Sequence, residues 1–318
     1  MNPFAPPSAF GPSTSVSSTN PASKLALAIV TEPERAPDRI VGSVAAAPTG
    51  AREEAMRFLL QTAADAGVSV IATRPDRDGE RLLGQAWPFP SPFRVTVRTV
   101  PLVDGLDRVE ARARRSLERL GLPRGDTLLA SSAADLAGAE GRALWDRMRG
   151  LKDRGLFRRI GFCATMEDGP ALLARRFQPD VVQMPCNILD QRPVVEGVLA
   201  DLAAMGVDVH VSSVFARGLL FASRESLPPH LAAHGPALSR ARRRLAEARI
   251  DPMQAALAFA LNLPPAVCVV ASVASAAELR AILAAACAPK PDIDWDALAF
   301  EDPAILATTA AIAVNRAA

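Results

Sequence analysis

The 318-residue chain contains no tyrosine, so no phenolic side chain can serve it as an acid or base. Histidine is scarce: His210, His230 and His234 are the whole supply, which leaves little imidazole for proton transfer or metal ligation. The four cysteines, Cys163, Cys186, Cys268 and Cys287, stand far apart with no C-x-x-C pair. That spacing argues against zinc and against a disulfide framework, so no metal and reduced, mostly buried thiols are expected. No apolar run reaches the length of a membrane span, and "LALAIV" (Leu25 to Val30) is also too short for a secretory leader. No membrane partner and a cytoplasmic location follow as expectations. Nor does one sign of charge dominate: 36 Lys plus Arg face 34 Asp plus Glu, a net +2 that gives no indication of a nucleic-acid partner.

What the chain does have is alternation. Residues Met1 to Ser23 are rich in proline and serine and cannot bury enough apolar area to offset their ordering entropy, so residues 1–23 read as a disordered tail. From Arg39 onward short apolar runs alternate with amphipathic segments. "RIVGSVAAAP" reads as the first strand, followed by the helical pattern of "AREEAMRFLLQTAADAG" with Ala55, Phe58, Leu59, Thr62 and Ala63 on one face. "VSVIA" and "RVTVRTV" are β-branched strands. "LDRVEARARRSLERLG" steps Leu106, Val109, Ala113, Leu117 and Leu120 by three and four. Further strands are "DTLLAS", "LFRRIGF", "PDVVQMP", "GVDVHVSS" and "AVCVVAS", with helical patterns at Leu144 to Leu151, Val194 to Met205, Gly235 to Leu261 and Ser275 to Ala286. Repeated βα units in one chain imply a parallel sheet, and closure into a single (β/α)8 TIM barrel over residues 24–318, ending in a helix from Pro303 to Ala318, is the economical arrangement. An open doubly wound sheet is the alternative, but no G-x-G-x-x-G follows its first strand.

Six segments taken in order resemble the aldo-keto reductase family. "AGVSVIATRPDRDGERLLG" (Ala66 to Gly84) looks like its first motif, and "ARRSLERLGL" with "DTLLAS" is similar to the helix and strand that end in its catalytic histidine. "LWDRMRGLKDRGLFRRIGF", "PDVVQMPCNILDQR", "GVDVHVSSVFARGLL" and "VVASVASAAELRAILAA" resemble its later motifs. The resemblance implies NADPH-dependent carbonyl reduction, in which a tyrosine gives a proton to the developing alkoxide, helped by a Lys, an Asp and a His.

Carried over residue by residue, that tetrad is replaced. The Asp falls on Ala72, the Tyr on Arg77, the Lys on Arg98 (or on Thr99 one residue along) and the His on Ser131. At the cofactor positions Gln183 keeps the nicotinamide-amide contact and Glu278 a polar contact, but the stacking aromatic becomes Ser212. The expected Ser-Asn becomes Cys163 and Ala164, Ile282 stands where an Asn belongs, and Arg280 is the nearest cation to the phosphate position. Weak NADPH binding at best is expected.

Arg74, Arg77 and Arg98 converge on the mouth of strands two and three, where guanidinium forks would suit a phosphate or carboxylate. The commoner outcome for such a charge run is that "RPDRDGER" neutralises itself through Asp76, Asp78 and Glu80 as a solvated loop. Cys163 and Cys186 are nucleophiles only if a base or cation stands beside them, and otherwise fill apolar space; the flanking valines of His210 point its ring into the barrel wall or outward. The basic run "SRARRRLAEAR" reads as an amphipathic helix with Leu238, Ala241 and Leu245 inward rather than a nucleic-acid footprint. The apolar C-terminus packs on the barrel or on a second subunit of a homo-oligomer. Three functions remain: a barrel without standard reductase activity that binds a small anionic metabolite or a protein partner; an NADPH-dependent oxidoreductase with a substitute acid; or a lyase or isomerase using Arg98, Asp190 and Cys163.

Overall fold

A computed structural model describes residues 20–30, 49–75, 79–222, 227 and 229–300. Eight parallel strands close into a barrel in the order β1 to β8: Leu25–Ile29, Val70–Ala72, Arg94–Arg98, Gly125–Ala130, Phe157–Cys163, Val181–Pro185, Asp208–Ser212 and Ala266–Val273. The helices are α1 (Thr49–Asp65), α2 (Gly79–Ala86), α3 (Leu106–Leu120), α4 (Ala133–Ala137), α5 (Gly141–Asp153), α6 (Pro170–Phe177), α7 (Arg192–Val195), α8 (Val198–Ala204), α9 (Gly235–Glu247), α10 (Pro252–Leu261) and α11 (Ala276–Cys287).

The first strand is not the one expected. Leu25–Ile29 occupies the β1 position, hydrogen-bonded between β8 and β2, while the run beginning at Arg39 lies outside the described residues. The tail boundary moves with it. Asn20 caps a short 3₁₀ turn over Pro21–Lys24 and donates from its side-chain amide to the Ala66 carbonyl at 3.1 Å, and Ala22 is buried. Residues 20–23, assigned to the tail, are therefore part of the fold; the rest of that stretch and the expected C-terminal helix lie outside the described residues.

Alternation decides which side chains fill the barrel and which meet the helices, because successive residues of a strand point to opposite faces. Ala26, Val70, Cys268 and Val270 form an interior cluster with Ala28 and Ala72. Their neighbours Leu25, Leu27, Ile71 and Val269 pack outward into the main core with the helices. Register carries the inward parity round the barrel: Ala72 pairs with Thr96, Arg98 with Leu129, Cys163 with Gln183, and Gln183 with His210. Near the strand starts, Arg159 bridges Asp126 and Asp208 at 2.6 Å each. Burial raises the carboxyl of Asp126, and the Arg159 guanidinium more than offsets this and holds it below its ordinary range.

The helical faces follow the periodicity with one rotation. Val109, Ala113, Leu117 and Leu120 of α3, Leu144, Met148 and Leu151 of α5, and Leu238, Ala241 and Leu245 of α9 are all buried. In α1 the buried face is Met56, Leu59, Leu60 and Ala63, and Phe58 is 56% exposed with the Arg280 guanidinium 5.0 Å from its ring centre. The pattern expected over Val194 to Met205 divides at Gly197 (φ 74°) into α7 and α8. The one over Gly235 to Leu261 divides before Pro252 into α9 and α10, with Asp251 capping the second.

Candidate active-site pocket

The C-terminal ends of the strands open onto a cavity of about 410 Å³. A polar arc crosses its floor from β3 to β6: Arg98, Ser131, Cys163 and Gln183. Each is there by parity. Arg98 follows Thr96 on the inward face, Ser131 stands two residues past Leu129, and Cys163 is the register partner of Gln183. Of the two residues open for the lysine position, Arg98 therefore lines the cavity. Thr99 is 2% exposed, and its hydroxyl accepts the Ser131 backbone N–H at 3.1 Å.

The arc is unsatisfied. Gln183 is 3% exposed and Ser131 8% exposed, and neither side chain makes a hydrogen bond among the described residues. Arg98 likewise has neither an ion pair nor a hydrogen bond among them. Buried polar groups in folded proteins are normally paired, so a run of unpaired donors facing a cavity marks where a ligand or water supplies the partner. Arg74 lines the same cavity, whereas Arg77 lies outside the described residues. The arginine cluster is thus placed at two of its three positions. Ala72 also lines the floor and brings no charge to it.

Cys163 is part-exposed toward this cavity. Burial pushes its thiol up, and the Arg98 and Arg74 guanidinium groups pull in the opposite direction without cancelling it. Cys186 is fully buried, its thiol also raised by burial, and it does not line the cavity. His210 faces inward, against the expectation of a wall or outward position, because its parity is that of Gln183. It is 3% exposed, and burial, then the Arg159 charge, depress its imidazole to about 4. It is a neutral core residue at ordinary pH.

Asp190 does not join Arg98 and Cys163. Arg192 holds its carboxylate at 2.9 and 2.8 Å, and it lines a separate small cavity with Asn187 and Phe300. Three contributors were not foreseen. Phe215 and Phe221, ring centres 5.6 Å apart, line one side of the pocket mouth. They follow β7 in a turn where Ser213, Ala216 and Arg217 all have positive φ (55°, 46° and 57°). Non-glycine residues reach that region only where their surroundings enforce it; just beyond the turn Arg242 donates to the carbonyls of Leu219, Leu220 and Ala222. Ser272, on the inward face of β8, completes the hydroxyl lining with Ser212; the period of two past Val270 is the signal for it.

At the positions where the resemblance puts cofactor contacts, the residues match a nicotinamide dinucleotide only in part. The Gln183 amide suits a carboxamide-bearing ring, but Ser212 offers no stacking surface. Glu278 accepts the Ala274 N–H at 2.8 Å while its own N–H donates to Ser275, so its carboxylate already serves as the reciprocal cap of α11. Arg280, the single cation of that helix, lies with its guanidinium 5.0 Å from the Phe58 ring centre and does not line the cavity. Among the described residues no three His, Cys, Asp or Glu side chains gather as metal ligands, and no helix is long and apolar enough to cross a membrane.

Comparison with known proteins agrees with the architecture. No curated protein sequence matches. Among solved structures, the apo form of an aldo-keto reductase from Bacillus halodurans superposes with a TM-score of 0.62 at 19% identity, covering 83% of this chain and 88% of that one. Its holo form gives 0.60 at 18% identity, covering 86% and 89%. A Pseudomonas aeruginosa protein assigned to the same enzymes gives 0.59 at 19% identity, covering 83% and 89%. The model of the aldo/keto reductase family matches residues 104–299, more than half of the sequence, and with the closed barrel this makes the chain a member of that family.

Proposed function

We propose that the strand-end pocket binds a small organic anion, with Arg98 as its anchor, and that the chain does not carry out carbonyl reduction by the usual route of its family. The observation that carries this reading is the Arg98 guanidinium, which faces a cavity with no ion-pair or hydrogen-bond partner among the described residues. A guanidinium fork donates two parallel hydrogen bonds to a carboxylate or phosphate. Ser131 and Gln183 flank it and would orient what the anion carries, and Phe215 and Phe221 would shield the bound molecule from water.

The absence of any tyrosine removes the family's proton donor, and Ala72 and Ser131 stand at two further tetrad positions. Ser212 in place of the stacking aromatic, Arg280 outside the cavity and Glu278 capping its own helix weaken the hold on NADPH, so its binding should be weak. One observation favours the oxidoreductase alternative: the Gln183 amide is free for a carboxamide ring. The lyase or isomerase reading loses Asp190 to the neighbouring cavity.

Calorimetric titration with acetate, malonate and inorganic phosphate, beside NADPH, decides between them. Binding of at least one small anion, weakened roughly 10- to 100-fold in Arg98→Ala, is expected from loss of one charge-assisted pair. Micromolar NADPH binding with oxidation of the cofactor by an aldehyde panel would overturn the reading.

A further inference from the structure

We propose that Cys163 is a covalent capture site for small oxo acids, whose carboxylate Arg98 holds while the Cys163 thiol adds to the carbonyl carbon. The inference rests on the anion-binding reading above and goes beyond it by adding a bond-forming step. Three observations meet at this residue. Cys163 is part-exposed to the cavity, whereas Cys186 and Cys268 are buried, with the Cys268 thiol pushed up to about 12 by burial. Its register partner Gln183 is 3% exposed and turns an unpartnered amide to the same cavity, and Ser131, 8% exposed, adds an unpartnered hydroxyl. Both are polar groups awaiting a ligand beside the sulfur. Finally, Arg98 and Arg74 line the same cavity as the thiol.

The step needs no cofactor. A carbon–sulfur bond forms as the carbonyl π bond breaks, and the thiol proton ends on the new hydroxyl, giving a thiohemiacetal or thiohemiketal without change of oxidation state. Ser131 is placed on the neighbouring strand to pass that proton, and the Gln183 amide N–H to hydrogen-bond the oxygen. Burial holds the free thiol protonated, so its intrinsic rate is slow, and the selectivity comes from concentrating anionic electrophiles at the arginines.

Iodoacetate and iodoacetamide, which differ by one charge, test this on the intact protein, with the exposed Cys287 as the reference thiol in the same molecule. Peptide mapping after timed alkylation should give an iodoacetate-to-iodoacetamide rate ratio at Cys163 about tenfold or more above that at Cys287, reflecting local enrichment of the anion. The preference should persist in Arg98→Lys and vanish in Arg98→Ala. Equal ratios at the two cysteines, or no alkylation of Cys163, would overturn the proposal. Protection separates the bond from the binding site: glyoxylate should slow alkylation of Cys163 more than acetate at equal concentration. If the two protect equally, the anion site stands and the covalent step falls. If neither protects and neither binds by calorimetry, the anion-binding reading fails as well. By calorimetry glyoxylate should bind the intact protein more tightly than acetate and Cys163→Ser should remove that difference; a difference that survives the substitution would overturn the covalent step.

Discussion

His210 shows how position in a barrel overrides a residue's ordinary chemistry. Its imidazole is depressed to about 4 chiefly by burial and then by the nearby Arg159 charge. The unfolded chain takes up a proton near pH 6.5 while the folded one resists until about 4, so between those values the unfolded state binds more protons. Stability contributed by this group is therefore complete above pH 6.5 and declines as pH falls through that window, by a total on the order of 3 kcal/mol. Urea midpoints measured from pH 7 to 4 should slope downward, and His210→Gln should flatten the part above pH 5. An unchanged slope in the variant would assign the loss to the carboxylates instead. The same residue scale explains why the pocket floor was only partly legible. Ala72, Arg98, Ser131 and Gln183 sit within two residues of strand C-terminal ends, where a period of two and motif order locate them from sequence. Whether Arg98 is paired, or Glu278 already consumed by a helix cap, depends on partners that local sequence does not name.

Between elements, the α2–α3 contact shows what the "ERLLG" segment does. Glu80 is 1% exposed and meets Arg112 of α3 at 3.2 Å; Arg112 also donates to the Pro75 carbonyl. Burial raises the Glu80 carboxyl, and the neighbouring Ser116 hydroxyl and the Arg112 charge only partly offset it. Gly84 lets the two helices approach: a Cβ there would lie 2.1 Å from the Arg119 carbonyl oxygen, which is backbone and cannot swing aside. Gly84→Ala should therefore cost about 1–3 kcal/mol in chemical denaturation. Gly50→Ala in α1, where nothing lies within 4 Å, should be neutral or slightly stabilising. Equal effects at both positions would remove close packing as the reason for the glycine. Faces were readable wherever the period was long and clean, as in α3 and α5. The register of α1 was not, because its abundant alanines make two adjacent faces almost equally apolar, and the exposed Phe58 is held by a cation from α11 far away in sequence.

At the scale of the molecule, alternation of strand and helix sufficed for a closed barrel, yet the strand that closes it was passed over. "LALAI" follows a proline- and serine-rich stretch, carries no β-branched residue before Ile29, and lies 40 residues or more from every other described strand. Its place is set by long-range pairing: Leu25 to Ile29 with Val269 to Val273 on one side, and Ala26 to Ala28 with Val70 to Ala72 on the other. The small inward Ala26 and Ala28 also leave room beneath the cavity that Val270 and Ser272 share. A closed barrel has no free edges, and removing one strand exposes two rows of unpaired backbone groups at once. A chain beginning at Asn20 should keep a single urea transition with far-ultraviolet circular dichroism and tryptophan fluorescence superimposed. A chain beginning at Thr31 should lose that coincidence, expose β2 and β8 as edges, and aggregate at micromolar concentration. Retention of a single transition in the shorter chain would mean that another segment can take the β1 position, and the run beginning at Arg39 would be the one to test by pairing-specific cross-links to β8.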